Sequence, residues 1–137
     1  RWHGWWRADR RDIAPAYPFG FGLSYTAFFV GDVETSIDDS ALYVSGTIRN
    51  TGERDGTDVV QVYAELPDPE APARLIGFSR CTVATGEKTA FEIVVAREKL
   101  ATRQSSSATW LPPAGRHKII VARYVGDPDA TSIFVDL

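Results

Sequence analysis

Carboxylate side chains are the residues of this sequence with the most evident capacity for chemistry, because two paired acids can hydrolyse a glycosidic bond. The acids cluster at Asp38-Asp39, Asp68-Pro69-Glu70 and Asp127-Pro128-Asp129. Each cluster separates two hydrophobic runs, where Asp and Pro are the residues that turns require. We therefore predict that these acids form turns rather than a catalytic pair. A calcium site at Asp127 and Asp129 is the alternative, although the spacing of an EF-hand loop is absent.

The other reactive residue types show no pattern of an active site. The two histidines, His3 and His117, lie far apart in the sequence, and no zinc-protease, nucleophile-elbow or phosphate-loop motif is present. The single cysteine, Cys81, excludes an internal disulfide and a cysteine-cluster metal site, and its place in a strand predicts a buried side chain. The sequence therefore predicts no catalytic residue, no metal and no cofactor.

Aromatic side chains are concentrated in residues 1–25. This stretch holds three of the four tryptophans, Trp2, Trp5 and Trp6, followed by a loop that contains Phe19 and Phe21. So much exposed aromatic surface favours association. Docking onto another protein surface is our main prediction, because interfaces are enriched in aromatic residues. Stacking of the rings on sugars is the alternative. The fourth tryptophan, Trp110, is expected to pack on the folded domain.

The elements that must carry these residues follow from the hydrophobic pattern. Pro and Gly interrupt residues 1–25 and predict an extended N-terminal arm, whereas residues 26–137 alternate apolar and polar positions, as half-buried strands do. We predict about seven strands and hence an all-β fold, an antiparallel β-sandwich. Residues 97–100 are predicted to form one helical turn. The strand candidates are 33–37, 41–50, 59–66, 75–83, 88–96, 118–124 and 132–135.

Composition limits the classes of function. A chain of 137 residues with 44% hydrophobic and 24% charged residues suits one globular domain. Its net charge of −3 offers no basic surface for nucleic acid or an anionic membrane. No apolar run approaches the roughly 20 residues that span a bilayer. The sequence starts with Arg1 and contains no methionine, so we expect a processed chain or a piece of a longer one. Its compartment is not predicted.

The segment Tyr17-Pro18-Phe19-Gly20-Phe21-Gly22-Leu23-Ser24-Tyr25 resembles the C-terminal part of glycoside hydrolase family 3 β-glucosidases. Those enzymes typically have (Phe/Tyr)-Pro-Phe-Gly-x-Gly-Leu-Ser-Tyr-Thr at this point. Further segments resemble the fibronectin type III-like domain of that family in order and spacing, so that the resemblance covers nearly the whole chain. They are residues 48–52, 58–63, 75–80, 84–87 and 114–117.

The resemblance implies a fibronectin type III/immunoglobulin-like sandwich over residues 26–137, and an arm, residues 1–25, that continues from a preceding domain. In the family, the catalytic nucleophile and the acid/base lie in a barrel and an α/β sandwich domain ahead of this segment, so no catalytic residue is carried over. The resemblance implies an accessory domain that is inactive alone and whose partners are the catalytic domains of a β-glycosidase. Phe19, Phe21 and Tyr25 would anchor the arm, and loops 65–74 and 103–109 would reach toward the substrate entrance.

Two other functions stay open from the sequence. One is an independent carbohydrate-binding module in which Trp2, Trp5 and Trp6 form a stacking platform. The other is a dimerising adhesion domain that adds strands at a sheet edge.

Overall fold

The computed structural model describes residues 4–67, 73–104 and 108–137 of the chain. A short helix, α1 (Trp5–Arg10), is followed by irregular backbone and then by a series of strands. A 3-10 turn, Arg97–Leu100, lies between the fifth and sixth of these strands. The strands are β1 (Phe28–Ile37), β2 (Ala41–Asn50), β3 (Gly56–Glu65), β4 (Arg74–Val83), β5 (Lys88–Ala96), β6 (Thr102–Gln104), β7 (Thr109–Leu111), β8 (Arg116–Ala122) and β9 (Thr131–Asp136).

The strands form two main antiparallel sheets. One has three strands in the order β1-β2-β5, and the other has four in the order β4-β3-β8-β9. These are the seven predicted strands, and the predicted β-sandwich is confirmed, as is the helical turn at Arg97–Leu100. Two additional strands, β6 and β7, pair with each other in a small ribbon and with no other strand of the described ranges. Each has three residues, which are too few to show alternation.

The core lies between the two sheets and is built from alternate strand residues. Leu42, Val44 and Ile48 of β2 are fully buried, and they face Val60 and Val62 of β3. Burial of such branched apolar side chains contributes about 1.5–3 kcal/mol each. Cys81 joins this cluster, as predicted.

One buried polar side chain joins several loops at an end of the sandwich. Asn50, the only asparagine of the sequence, is completely buried at the end of β2. Its Nδ2 donates to the carbonyls of Arg54 (2.6 Å) and Val83 (3.0 Å). Its Oδ1 accepts the Thr26 hydroxyl (2.7 Å) and the Gly52 N–H (3.1 Å). Asn50 therefore links Thr26, which precedes β1, to the β2–β3 loop and to the end of β4.

Two features depart from the sequence-based picture. The predicted arm contains α1, a six-residue helix with no buried residue, which hydrophobic periodicity does not reveal. Trp110 does not pack on the sandwich and is 61% exposed, so that prediction is wrong. The reason is that Trp110 belongs to β7, whose only strand partner among the described residues is β6.

The turn between β1 and β2 is closed by a carboxylate, and this gives a first testable prediction. Asp38 Oδ1 accepts the Ser40 hydroxyl (2.7 Å), the Ser40 N–H (2.7 Å) and the Ala41 N–H (2.8 Å), while Oδ2 accepts the Tyr43 hydroxyl (3.0 Å). These bonds, led by the Ser40 hydroxyl, lower the pKa of Asp38 to about 2. Because these bonds stabilise the charged carboxylate in the folded state and not in the unfolded state, their contribution to stability is complete above about pH 4 and is lost as the pH falls toward 2.

Asp38→Asn should accordingly lower the free energy of unfolding at neutral pH, and the difference from the parent should vanish near pH 2. Urea unfolding followed by tryptophan fluorescence across this pH range measures it. Asp39→Asn, at the exposed neighbouring position, is the matched control and should leave the free energy of unfolding at neutral pH nearly unchanged. A difference at Asp38 that does not depend on pH would contradict the assignment.

Candidate functional site

The arm, described here from residue 4 to residue 25, lies over the outer face of the four-stranded sheet. On β3, Val60 and Val62 point into the core, so the alternating residues Gln61 and Tyr63 lie on the outer face. Yet Gln61 is only 5% exposed and Tyr63 only 3%. These outer-face side chains are buried because the arm covers them.

A buried glutamine fixes the backbone of the arm. Gln61 Nε2 donates to the Gly20 carbonyl (3.1 Å) and to the Arg123 carbonyl, and its Oε1 accepts the Tyr63 hydroxyl at 2.5 Å. One residue earlier, the Phe19 carbonyl accepts the Val125 N–H at 2.9 Å. The arm is thus bonded both to the middle of the sheet and to the turn after β8. Burial under the arm raises the pKa of the Tyr63 phenol to about 12.

Aromatic rings reinforce this attachment. Trp5 stacks on Phe19, with ring centroids 5.4 Å apart and planes 17° apart, and meets Tyr63 edge-on at 6.4 Å. Further along, Phe21 meets Tyr124 edge-on at 5.2 Å. Such pairs contribute about 0.5–1.5 kcal/mol each beyond the area that they bury.

The structure brings together most of the aromatic residues that the sequence singles out. Trp5, Trp6, Phe19 and Phe21 lie in the arm on the four-stranded sheet; Trp6 is 5.6 Å from Trp5, centroid to centroid, and its Nε1 donates to the Ala73 carbonyl at 2.7 Å. Tyr25 stays apart, with 95% of its surface exposed. Trp2 lies outside the described residues.

Sequence reasoning missed the residues that receive the arm. Gln61 and Tyr63 occupy the positions of β3 that alternation assigns to solvent, and Arg123 and Val125 follow the end of β8. The sequence offers one partial signal, the glycine at position 20. The backbone there has a φ of +82°, a conformation that other residues rarely adopt.

Gly20 supplies a second prediction. A Cβ at this position would overlap the Gln61 side-chain amide, and the backbone would be strained as well. Gly20→Ala should therefore loosen the arm and cost about 1–3 kcal/mol of stability. Gly22→Ala is the matched control, since a Cβ there meets nothing within 4 Å. Denaturant unfolding together with the rate of proteolytic cleavage in the arm measures the effect; equal behaviour of the two variants would contradict this role of Gly20.

The predicted turn acids take structural roles. Asp127 Oδ2 accepts the Arg123 N–H (3.0 Å) and Nε–H (3.2 Å), and its Oδ1 accepts the Asp129 N–H (3.1 Å). Asp58 Oδ2 lies 3.8 Å from Arg123 Nη1. Burial raises the pKa of Asp58, although the Val59 N–H and Arg123 oppose the shift. Arg123 thus lies between Asp58 on β3 and Asp127, which is only 6% exposed and closes the turn after β8.

The third acidic cluster, residues 68–70, lies outside the described residues, as do parts of loops 65–74 and 103–109. Within the described ranges, no three His, Cys, Asp or Glu side chains are grouped so that they could hold a metal ion. In the same part of the chain, no helix is long and apolar enough to cross a membrane.

Two cavities border Trp5. The β8 groove, about 300 Å³, lies between α1, the outer face of β8 and the turn that follows it. The arm hollow, about 730 Å³, lies between α1, residues 12–19 and the backbone at Val125 and Gly126.

The arm also presents a large apolar surface to solvent. We define the arm surface as its four most exposed large apolar side chains, which are 54–95% exposed. Isolated exposed apolar residues are ordinary, but several of them on one short segment favour an interaction surface. The four are Ile13, Tyr17, Leu23 and Tyr25.

Comparison with known proteins identifies consistent relatives. Residues 58–130 match the fibronectin type III-like domain family. The chain is similar to a β-glucosidase from Rhizobium radiobacter, with 34% identity over an alignment of 125 positions; the match covers 87% of the chain and 15% of that protein. It is also similar to the probable β-glucosidase M of Emericella nidulans, with 31% identity over an alignment of 139 positions; the match covers 84% of the chain and 18% of the relative.

Solved structures agree. A β-glucosidase from Streptomyces venezuelae, solved in complex with D-glucose, matches 94% of the chain with a TM-score of 0.84 and 28% identity. A family 3 glycoside hydrolase β-glucosidase from Bifidobacterium adolescentis matches 96% with a TM-score of 0.85 and 27% identity. The chain spans only 17% and 20% of these two structures, and 15% and 18% of the two relatives above.

Proposed function

Since the chain belongs to the fibronectin type III-like domain family, in the form that family 3 β-glucosidases carry, we propose that it stabilises the catalytic domains of such a β-glycosidase. The parent activity would be hydrolysis of terminal β-glucosyl or related residues. In this proposal residues 1–25 form the connection from the preceding domain and residues 26–137 form the accessory domain.

The arm surface is the observation that carries the proposal. Leu23 is 87% exposed and Tyr25 is 95% exposed, yet both follow the Gly20 carbonyl that Gln61 fixes. Exposed apolar groups gain free energy when a partner covers them, at about 25 cal/mol per Å². A neighbouring domain of the same enzyme is the partner that the relatives' lengths make available.

The chain by itself is proposed to be inactive. A retaining glycosidase needs two carboxyl groups about 5 Å apart on either side of the scissile bond. Among the described acids, Asp58 and Asp127 flank Arg123, and both are bound to it and to backbone N–H groups. Hydrolysis of 4-nitrophenyl β-glucoside by the purified chain would overturn this part of the proposal.

A chimera tests the stabilising role. The corresponding C-terminal segment of the Rhizobium radiobacter β-glucosidase is replaced by this chain, and the thermal half-life of the activity is measured. Leu23→Ser with Tyr25→Ser should shorten that half-life several-fold while leaving the unfolding of the isolated chain nearly unchanged, because both side chains are exposed. Val94→Thr, at an exposed position of the three-stranded sheet, is the control. Equal half-lives for all three chimeras would contradict an interdomain contact at the arm surface.

We also propose that the β6–β7 ribbon shapes substrate access in the parent. Trp110 is 61% exposed and Leu111 is 43% exposed on a ribbon that belongs to neither main sheet. In the chimera, Trp110→Ala should raise KM for oligosaccharides more than KM for the aryl glucoside. If the chimera and its Trp110→Ala variant had the same KM for oligosaccharides, this role would be contradicted.

A further inference from the structure

The β8 groove has a wall and floor suited to a ring-shaped ligand. Its floor is Ile120 and Ala122 on the outer face of β8. Trp5 of the arm and Tyr63 of β3 also line the groove. Tyr124 lines the groove near the end of the strand. With about 300 Å³, it lies at the small end of ligand pockets and has room for one or two sugar rings.

Hydrogen-bond donors and acceptors both surround this apolar floor. Lys118 and Glu65 form an ion pair, with 3.2 Å between Nζ and Oε1, and their side chains remain 33% and 46% exposed. Asp9 of α1 and Ser132 of β9 complete the rim. An ammonium has three donors and a carboxylate about four acceptor sites, so the pair keeps hydrogen-bonding capacity beyond its own contact.

The charges of the rim select among ligand classes. Lys118 is already neutralised by Glu65, and the lining carboxylate of Asp127 is bound to Arg123, so Asp9 leaves the rim negative and an anion such as phosphate would be repelled. A cation would gain only the exposed carboxylate of Asp9 and would lose hydration over the apolar floor. A neutral molecule with many hydroxyl groups and an apolar C–H face satisfies donors, acceptors and floor together. We propose that the β8 groove is a binding site for a neutral pyranoside.

This site goes beyond the interdomain role and uses different side chains. The arm surface comprises Ile13, Tyr17, Leu23 and Tyr25, and none of these lines the β8 groove. The two proposals can therefore fail separately, because the chimera measures enzyme half-life and the groove is tested on the isolated chain.

The experiment is a titration of the ¹⁵N-labelled chain with cellobiose, followed by amide chemical shifts. We expect saturable shifts at Lys118, Ala122 and Ser132 with a Kd on the order of 1 mM, as for a ligand that gains about 4 kcal/mol. Inorganic phosphate, the second probe, should shift none of them. Absence of saturation up to about 50 mM cellobiose, which corresponds to less than about 2 kcal/mol, would overturn the proposal.

Variants localise the binding to the groove. Ser132→Trp places a large side chain from the exposed face of β9 into the groove and should abolish binding. Thr82→Trp, at an exposed position of the opposite edge strand β4, is the control for the added ring. Lys118→Ala should weaken binding about tenfold through the loss of a charged hydrogen bond. Binding that persists in the Ser132→Trp chain would place the saccharide elsewhere and overturn the assignment.

Discussion

Asn50→Asp is expected to lower the free energy of unfolding by about 4 kcal/mol, because it puts an unpaired negative charge in a fully buried position. The Nδ2 atom that donates to the carbonyls of Arg54 and Val83 becomes an oxygen that repels both. The Oδ1 contacts to Thr26 and Gly52 are geometrically retained, so the loss isolates the donor side of the network. Guanidinium unfolding at neutral pH, monitored by circular dichroism, measures the change.

Two further variants serve as comparisons for Asn50→Asp. Asn50→Ala removes both sides of the network and should cost about 3 kcal/mol, since several buried partners lose a hydrogen bond. Thr51→Ala, at the exposed next residue, should change stability by less than about 0.5 kcal/mol. If Asn50→Asp and Thr51→Ala were equally stable, the network would be structurally present but energetically unimportant.

Trp5→Ala is expected to cost about 2 kcal/mol, because it removes the ring that stacks on Phe19 and covers Tyr63. It should also have a spectroscopic consequence. Without the ring, water reaches the Tyr63 phenol, so its pKa should fall from about 12 toward the ordinary value of about 10. Ultraviolet titration of the tyrosines, compared between parent and variant, reports this shift separately from stability.

The control for Trp5 is Trp110→Ala, which removes the same side chain from a position that is 61% exposed. It should cost less than about 1 kcal/mol and leave the titration of Tyr63 unchanged. Removal of residues 1–11 should reproduce the loss seen with Trp5→Ala. If that truncation left the melting temperature unchanged, the first residues would be a detached linker and the contact of Trp5 with β3 would carry no stabilising energy.

The sandwich could be predicted from sequence because each main strand carries its own signal. The alternation of β2, with Leu42, Val44 and Ile48 on one face, is visible without any knowledge of the partner strands. The burial of Cys81 follows from the same alternation in β4. The resemblance to the family 3 fibronectin type III-like domain, carried by the segment from Tyr17 to Tyr25, is confirmed by the comparisons.

The arm site was only partly predictable, because it depends on contacts between residues distant in the chain. Composition singled out Trp5, Phe19 and Phe21, but the local pattern of β3 does not show that Gln61 and Tyr63 are covered. Only the packing of the arm on β3 turns those outward positions into a buried hydrogen-bonded pair. The interdomain and sugar-binding roles of these aromatic residues stay predictions.

The attachment of the arm through Gln61 has a mechanical consequence. Gln61 lies on β3, an interior strand that is hydrogen-bonded to β4 on one side and β8 on the other. The covalent chain, by contrast, passes from the arm into β1, an edge strand of the three-stranded sheet. A pulling force applied through the arm would therefore load the contacts with β3 first. Only their rupture would pass the tension to β1, whose pairing with β2 could then be peeled away one hydrogen bond at a time.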